Sequence, residues 1–304
     1  MATNSSLIDY YFLQQSFKLV VVQVLIMIFL CINLLLIITF LKKKCFHESA
    51  RYILFAVTLL SDSFILFLTD FLFILALFNF TIHMWLCIII IIPVYLYITV
   101  TPVTLTAMIL ERYVAICMPL RHAELCSTRS TVRCILMIHC LSSIPCIVVF
   151  STFFASTSSS FYHQYQVCSV EIFTVDIWQI QLRTAISQIL FLLMFVIIVF
   201  SYVKILKVAK AASGENKKLT TKGLKTVVLH GFQLLLCLIQ LWCPFIEAAV
   251  FNFSYFLNVR TFNYIVFYLA PRCLSPLIYG LRDECFFNAL KNSASCGLYK
   301  EQPR

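Results

Sequence analysis

Glycine is scarce in this chain, with five residues among 304. Carriers that bind a solute at the membrane midplane break paired helices at Gly and Pro, so the shortage argues against that class. Acidic residues are also few, 13 against 23 lysines and arginines, and charged residues make up only 12% of the chain. A soluble domain carries about 25%. With 62% of residues hydrophobic, a soluble fold would have too little polar surface to cover its apolar groups. No Cys-x-x-Cys occurs among the 14 cysteines, and the six histidines show no ligand spacing, which argues against a zinc site. No nucleophile has a recognisable neighbouring base, so neither a catalytic step nor a cofactor is implied. The N-terminus lacks both a basic stretch and a small-residue cleavage site, so its apolar run is expected to be an uncleaved signal anchor.

What the chain does have is seven apolar runs, at residues 19–41, 52–78, 85–117, 132–154, 182–206, 227–251 and 262–281. A helix needs about 20 predominantly apolar residues to cross a hydrocarbon core of about 30 Å. The runs leave nothing for a second domain and no repeat is visible. The expectation is an all-α membrane protein, a single seven-transmembrane helix bundle. An odd number of spans puts the termini on opposite sides.

The basic residues orient the bundle, because cytoplasmic loops retain Lys and Arg close to span ends. With the N-terminus outside, nineteen of the 23 basic residues fall on the inner side, seven of them around the third inner loop, from Lys204 to Lys225. Lys18, Arg183 and Arg260 fall outside, and Arg272 lies within a span. The net charge of +10 is thus a topology signal, and nucleic-acid binding is not needed to explain it. Glycosylation, which is confined to the lumenal side, agrees. The only Asn-x-Ser/Thr sequons, at Asn4, Asn79 and Asn252, all fall outside. Asn4 is the expected acceptor, since the other two abut span ends. Of the cysteines, only Cys87 and Cys168 lie on this oxidising side, and they are expected to pair.

The end of the third run reads ERYVAICMPLRH, Glu111 to His122. An ionised pair at the boundary of a long apolar helix is costly unless it serves pairing or a partner. The string resembles that of the rhodopsin-like G-protein-coupled receptors in their odorant-receptor version, and is most similar to fish-type odorant receptors. Further landmarks carry the resemblance along the chain: Asn33; Asp62 in LLSD; Trp242 and Pro244 in QLWCPF; Ser275, Pro276 and Tyr279 in SPLIYGLRDE; and Tyr202 in SYVKIL. There are departures. Span four lacks its usual tryptophan, span five has no proline, and KGLKTVVLHG replaces the odorant signature of span six. Leu224 stands where many relatives carry an acid that restrains the span-three arginine.

The resemblance implies a receptor that binds a small-molecule odorant in its outer half and activates a heterotrimeric G protein of the stimulatory olfactory type. It would sit in the plasma membrane, with the N-terminus extracellular and the C-terminus cytoplasmic. Glu111, Arg112, Tyr113, Tyr202, Trp242, Pro244, Pro276 and Tyr279 would form the coupling and activation switch. The ligand would meet Val94, Tyr95, Ile98, Thr99, Ile186, Leu190, Trp242, Phe245, Ala249 and Tyr268. With Val94 where amine receptors place an aspartate, this lining suits a largely apolar molecule. The disulfide between Cys87 and Cys168 is implied as well.

Arg272 stands four residues, about one turn or 5.4 Å, before Pro276. That position borders the interior aspartate, here Asp62, which relatives use to hold sodium. An Asp62–Arg272 ion pair in place of a sodium site is therefore expected. Asp70 and Glu247, in the outer halves of spans two and six, are expected to reach water. After the last span, residues 282–293 are expected to form a short amphipathic helix on membrane lipids through Phe286, Phe287 and Leu290. Cys285 and Cys296 are candidates for palmitoylation there. The alternatives are a non-olfactory receptor of the same superfamily or, from another class, a membrane channel or carrier.

Overall fold

The computed structural model describes residues 2–173, 176–211, 214–240, 242–243, 246, 250, 256–274, 287–289 and 291. These residues are overwhelmingly helical. In chain order the α-helices are α1 (Ala2–Lys42), α2 (Ala50–Leu77), α3 (Met84–Cys117), α4 (Pro119–Leu125), α5 (Thr128–Ser156), α6 (Ile177–Ala211), α7 (Gly214–Gln240) and α8 (Phe256–Asn263). α8 continues into a π-helical turn, Tyr264–Leu269, and helix resumes over 270–274.

Among the described residues, five helices are long and apolar enough to cross a membrane: Leu19–Lys42, Ala50–Ala76, Met84–Cys117, Thr128–Ser156 and Ile177–Val208. A shorter apolar segment, Val227–Cys237, lies in α7. Their exteriors are inverted relative to a soluble protein. Met27, Ile28, Ile189, Leu192, Phe195 and Val196 are all exposed, and a continuous apolar exterior of this kind needs lipid around it.

α3 is the axis, packed against α2, α5, α6 and α7, and its inward face holds Val100, Leu105, Met108 and Ile109, all fully buried. Pro93 and Pro102 lie inside α3, which a bundle helix tolerates where neighbours supply the missing bonds. Cys146 of α5 turns its thiol to the carbonyl of Ile92, at 3.8 Å. Hydroxyls within the spans are satisfied locally: Thr58, Thr104 and Thr106 each donate to the carbonyl four residues back, at 3.0, 2.7 and 2.9 Å. No free hydroxyl is left inside the bundle at those buried positions.

One end of the bundle is closed by loop structure. β1 (Thr81–His83) pairs antiparallel with β2 (Tyr165–Val167), placing Ile82 opposite Gln166. The turn into β1 passes through Asn79 at φ 51°, a left-handed conformation that Asn tolerates better than most residues. Cys168 follows β2 directly and is bonded to Cys87 on α3, with Cα atoms 5.5 Å apart. Trp85 stacks on Tyr162 at 5.1 Å, and Phe153 packs edge-on to Phe161. The segment between α5 and α6 is thereby tied down over the bundle end.

The expected spans six and seven are covered in part, by α7 and by residues 256–274. Of the expected tail helix, residues 287–289 and 291 are helical, with Phe287 exposed and Ala289 buried. Pro244, Phe245, Glu247, Ala249, Asn252, Ser275, Pro276, Tyr279, Cys285, Phe286, Leu290 and Cys296 lie outside the described residues.

Thiol labelling of surface-expressed protein should find Cys87 and Cys168 blocked until reductant is added. Replacing either by Ser should cost about 2–5 kcal/mol of stability. Free thiols at both positions in the intact protein would contradict the bond.

Candidate functional site

Polar groups gather at three places in the bundle.

At mid-bundle, Asp62 of α2 and Arg272 are both buried, at 0% and 2% exposure. Arg272 Nε approaches Asp62 Oδ1 to 3.8 Å, and the same oxygen accepts from Thr101 Oγ1 at 2.8 Å. Arg272 Nη1 donates to the Tyr268 carbonyl at 2.5 Å, and the guanidinium lies 3.9 Å from the centroid of the Tyr268 ring. The Tyr268 hydroxyl donates in turn to Thr69 at 3.1 Å, and its ring stacks on Tyr264 at 5.1 Å. The π turn accounts for this convergence. One residue beyond the α-helical repeat rotates everything after it by about 100°, which sets the inward face carrying Arg272. Tyr268, expected to meet ligand, is here committed to Arg272 and Thr69. Asp62 already has a cation beside it, so the donor set does not fit a sodium ion. Further toward the disulfide end, Asp70 accepts from Gln23 Nε2 of α1 at 2.6 Å.

At the far end of α3, Arg112 Nε lies 3.6 Å from Glu111 Oε2, while His122 Nε2 lies 3.4 Å from Glu111 Oε1. Glu111 thus bridges a guanidinium and an imidazole. Met118 ends α3, and Pro119 starts α4 at its first position, where Pro is favoured. This sharp corner carries His122 back onto α3. Sequence reasoning gave His122 no role, although the Pro one residue after a helix end was the available signal. Burial and the neighbouring Glu111 carboxylate push the Cys126 thiol up, which makes it a poor nucleophile. Ile109, Ile205 and Val227 form a buried cluster here with Tyr113, Tyr202 and Leu224 packed against it. Leu224 therefore contributes apolar contact between α7 and α3 where an acid would have held the arginine. Arg112 Nη2 has no hydrogen-bond partner among the described residues.

On the other side of α3 from Asp62, at the level of Thr101, α3 and α6 enclose a cavity of about 30 Å³ lined by Ile98, Thr99, Pro102, Ser187, Leu190 and Met194, with Pro145 and Cys237 completing it. Three of the expected pocket residues, Ile98, Thr99 and Leu190, meet there. Val94 is buried in the cluster around the disulfide, Ile186 is half-buried beside the seam, and Trp242 is 52% exposed and away from the cavity. The structure adds a contact that sequence reasoning did not find: Arg183, at the start of the expected span 182–206, lies in α6 and donates through Nη1 to the Tyr95 hydroxyl at 3.1 Å. That hydroxyl donates to the Val170 carbonyl, also at 3.1 Å. His139, by contrast, is held within α5 by the Ile135 carbonyl at 2.9 Å and packs edge-on to Tyr97.

A central helix tied to a loop by a disulfide, with an interior aspartate and a Glu-Arg-Tyr terminus, defines a class of membrane receptor. Residues 32–279 match the 7 transmembrane receptor (rhodopsin family) model. The chain belongs to that family, which is one of receptors and not of enzymes. It is 43% identical over 284 residues to Odorant receptor 131-2 of Danio rerio, covering 93% of this chain and 87% of the relative. It is also 26% identical over 210 residues to Galanin receptor 2a of Danio rerio, covering 64% of this chain and 54% of that receptor.

Removing one member of a buried ion pair strands the other, at about 3–5 kcal/mol. Arg272→Ala should therefore lower surface expression, and Asp62→Asn with Arg272→Gln should restore part of it. Expression of the double variant below that of both single variants would contradict the pairing.

Proposed function

We propose that the chain is an odorant receptor that binds a small molecule in the half of the bundle bearing the disulfide and activates a heterotrimeric G protein at the opposite face. The observation that carries this reading is the Glu111–Arg112 pair beside the α3–α6–α7 cluster, supported by the extent of the odorant-receptor relative. In this reading the chain is one seven-span domain in the plasma membrane of a sensory cell. Its N-terminus is extracellular and bears a glycan on Asn4, while the cytoplasmic tail forms a lipid-lying helix with palmitoylation at Cys285 and Cys296. The partner is the stimulatory olfactory G protein.

Activation follows from differential binding, since a ligand shifts a conformational equilibrium only by its preference for one state. At rest Leu224 packs α7 against Tyr113 and Tyr202 by apolar contact, and no ion pair joins α3 to α7 among the described residues. Ligand held at the disulfide end favours an arrangement in which the inner end of α7 swings outward about Pro244. The groove so formed admits the C-terminal helix of the G protein. Arg112, held from one side by Glu111, turns toward that helix. Tyr202 and Tyr279 move into the space left by Leu224, and Pro276 supplies the bend of the last span. Lys225, exposed beside the groove, favours an acidic partner face.

Arg112→Ala should abolish ligand-stimulated cyclic AMP production in cells while ligand binding persists, because the side chain lies at the opposite end from the cavity. Wild-type signalling from a normally expressed variant would remove the assigned role.

A further inference from the structure

Arg183 has no use in the function proposed so far, yet its position is unusual. It lies two turns inside α6, half-buried, in a helix whose exposed residues over 189–203 are apolar. Its guanidinium does not turn outward to lipid. It crosses to α3 and ends on the Tyr95 hydroxyl at 3.1 Å, a neutral partner for a full positive charge. The ion pairs among the described residues join Glu111 to Arg112 and His122, and Asp62 to Arg272; none includes Arg183. The acid nearest in sequence, Asp176, accepts from Trp178 Nε1 at 3.2 Å instead. A charge held inside a span with no counter-charge among the described residues points to a functional site.

The neighbours show what the site can take. Arg183, Ser187, Leu190 and Met194 recur at the spacing of one helix face, as do Tyr95, Thr99 and Pro102 on α3. The last three of the first set and the last two of the second line the cavity of about 30 Å³. The Tyr95–Arg183 hydrogen bond therefore closes the same α3–α6 seam one turn nearer the disulfide. A cavity of that size admits water molecules but not an organic ligand, so entry requires the seam to part, and this bond is what spans its mouth.

We infer that Arg183 anchors the anionic head of a small amphiphilic ligand, a carboxylate with an apolar chain, whose body lies along the α3–α6 seam over Thr99 and Leu190. A carboxylate displaces the Tyr95 hydroxyl because two parallel charge-assisted hydrogen bonds to a guanidinium replace one bond to a neutral oxygen. The hydroxyl keeps its bond to the Val170 carbonyl, so opening the mouth leaves Tyr95 partnered. This deepens the proposed function and rests on it for the place of the ligand, and it replaces the purely apolar ligand suggested by the lining alone.

The test uses the purified full chain and reads thermal unfolding with butyrate, octanoate and dodecanoate against the alcohols of the same chain lengths. At least one acid should raise the melting temperature of wild type more than its alcohol does. Arg183→Gln should weaken that acid about ten- to a hundred-fold, and Arg183→Lys should retain most of it. The wild-type comparison requires no variant, so it stands even if Arg183→Gln does not fold. Equal stabilisation by acids and alcohols, no stabilisation by any acid, or undiminished acid binding by Arg183→Gln would overturn the inference. So would loss of acid-specific stabilisation in nanodiscs of phosphatidylglycerol with its retention in neutral lipid, which would assign the guanidinium to lipid phosphate. Nucleotide exchange driven by neutral odorants, with no acid binding, would refute the anchor while leaving the receptor function in place. Acid binding without exchange would do the reverse.

Discussion

Hydrocarbon offers a charged side chain no solvent, so every charge inside the bundle must meet a partner from another helix or belong to a site. The Asp62–Arg272 pair is the deepest case. It joins α2 to the segment after the π turn, and through Thr101 it reaches α3. Its members are nearly inaccessible, so neither can be solvated separately without opening the bundle. The arrangement fixes the rotation of residues 270–274, the commitment of Tyr268 to Arg272 and Thr69, and the place of Gln233, which donates to the Pro271 carbonyl at 2.7 Å. Apolar packing, which supplies most of the remaining contact between these helices, tolerates sliding and rotation far better than a buried charge pair does.

The other two levels contrast with this one. Around Glu111 the charges are partly exposed and loosely held at 3.4 and 3.6 Å, as suits a switch that must exchange partners. Toward the disulfide end, Arg183 brings to the α3–α6 seam a charge that meets the neutral Tyr95 hydroxyl and no acid among the described residues. The bundle thus runs from a fixed loop-tied end, through a rigid polar centre, to a loosely held terminus. That gradient suits conversion of ligand binding at one end into movement at the other.

Much of this was legible in the chain because it depends on composition and on local spacing. The apolar runs predicted the long helices, since length and hydropathy alone decide whether a segment can cross a bilayer. Cys87, Cys168, Asp62 and Arg272 stood out because each is expensive or reactive where the spans place it. The unread features depend on contacts between distant elements or on irregular helix geometry. The π turn at Tyr264–Leu269 has no composition that distinguishes it from an α-helix, and Tyr268 within it stands against Arg272 and Thr69. His122 reaches Glu111 only because the corner at Pro119 folds α4 back. Arg183 stood at the start of the apolar run 182–206, but its reach to Tyr95 on α3 depends on how α6 packs on α3.

The central claim is that the chain passes a signal and not a solute. The most direct measurement places the receptor in sealed vesicles and follows nucleotide exchange on added olfactory G protein together with flux of an odorant panel and of ions. The account predicts odorant-dependent nucleotide exchange without accompanying flux. Odorant or ion flux without exchange would contradict it and identify a carrier or channel.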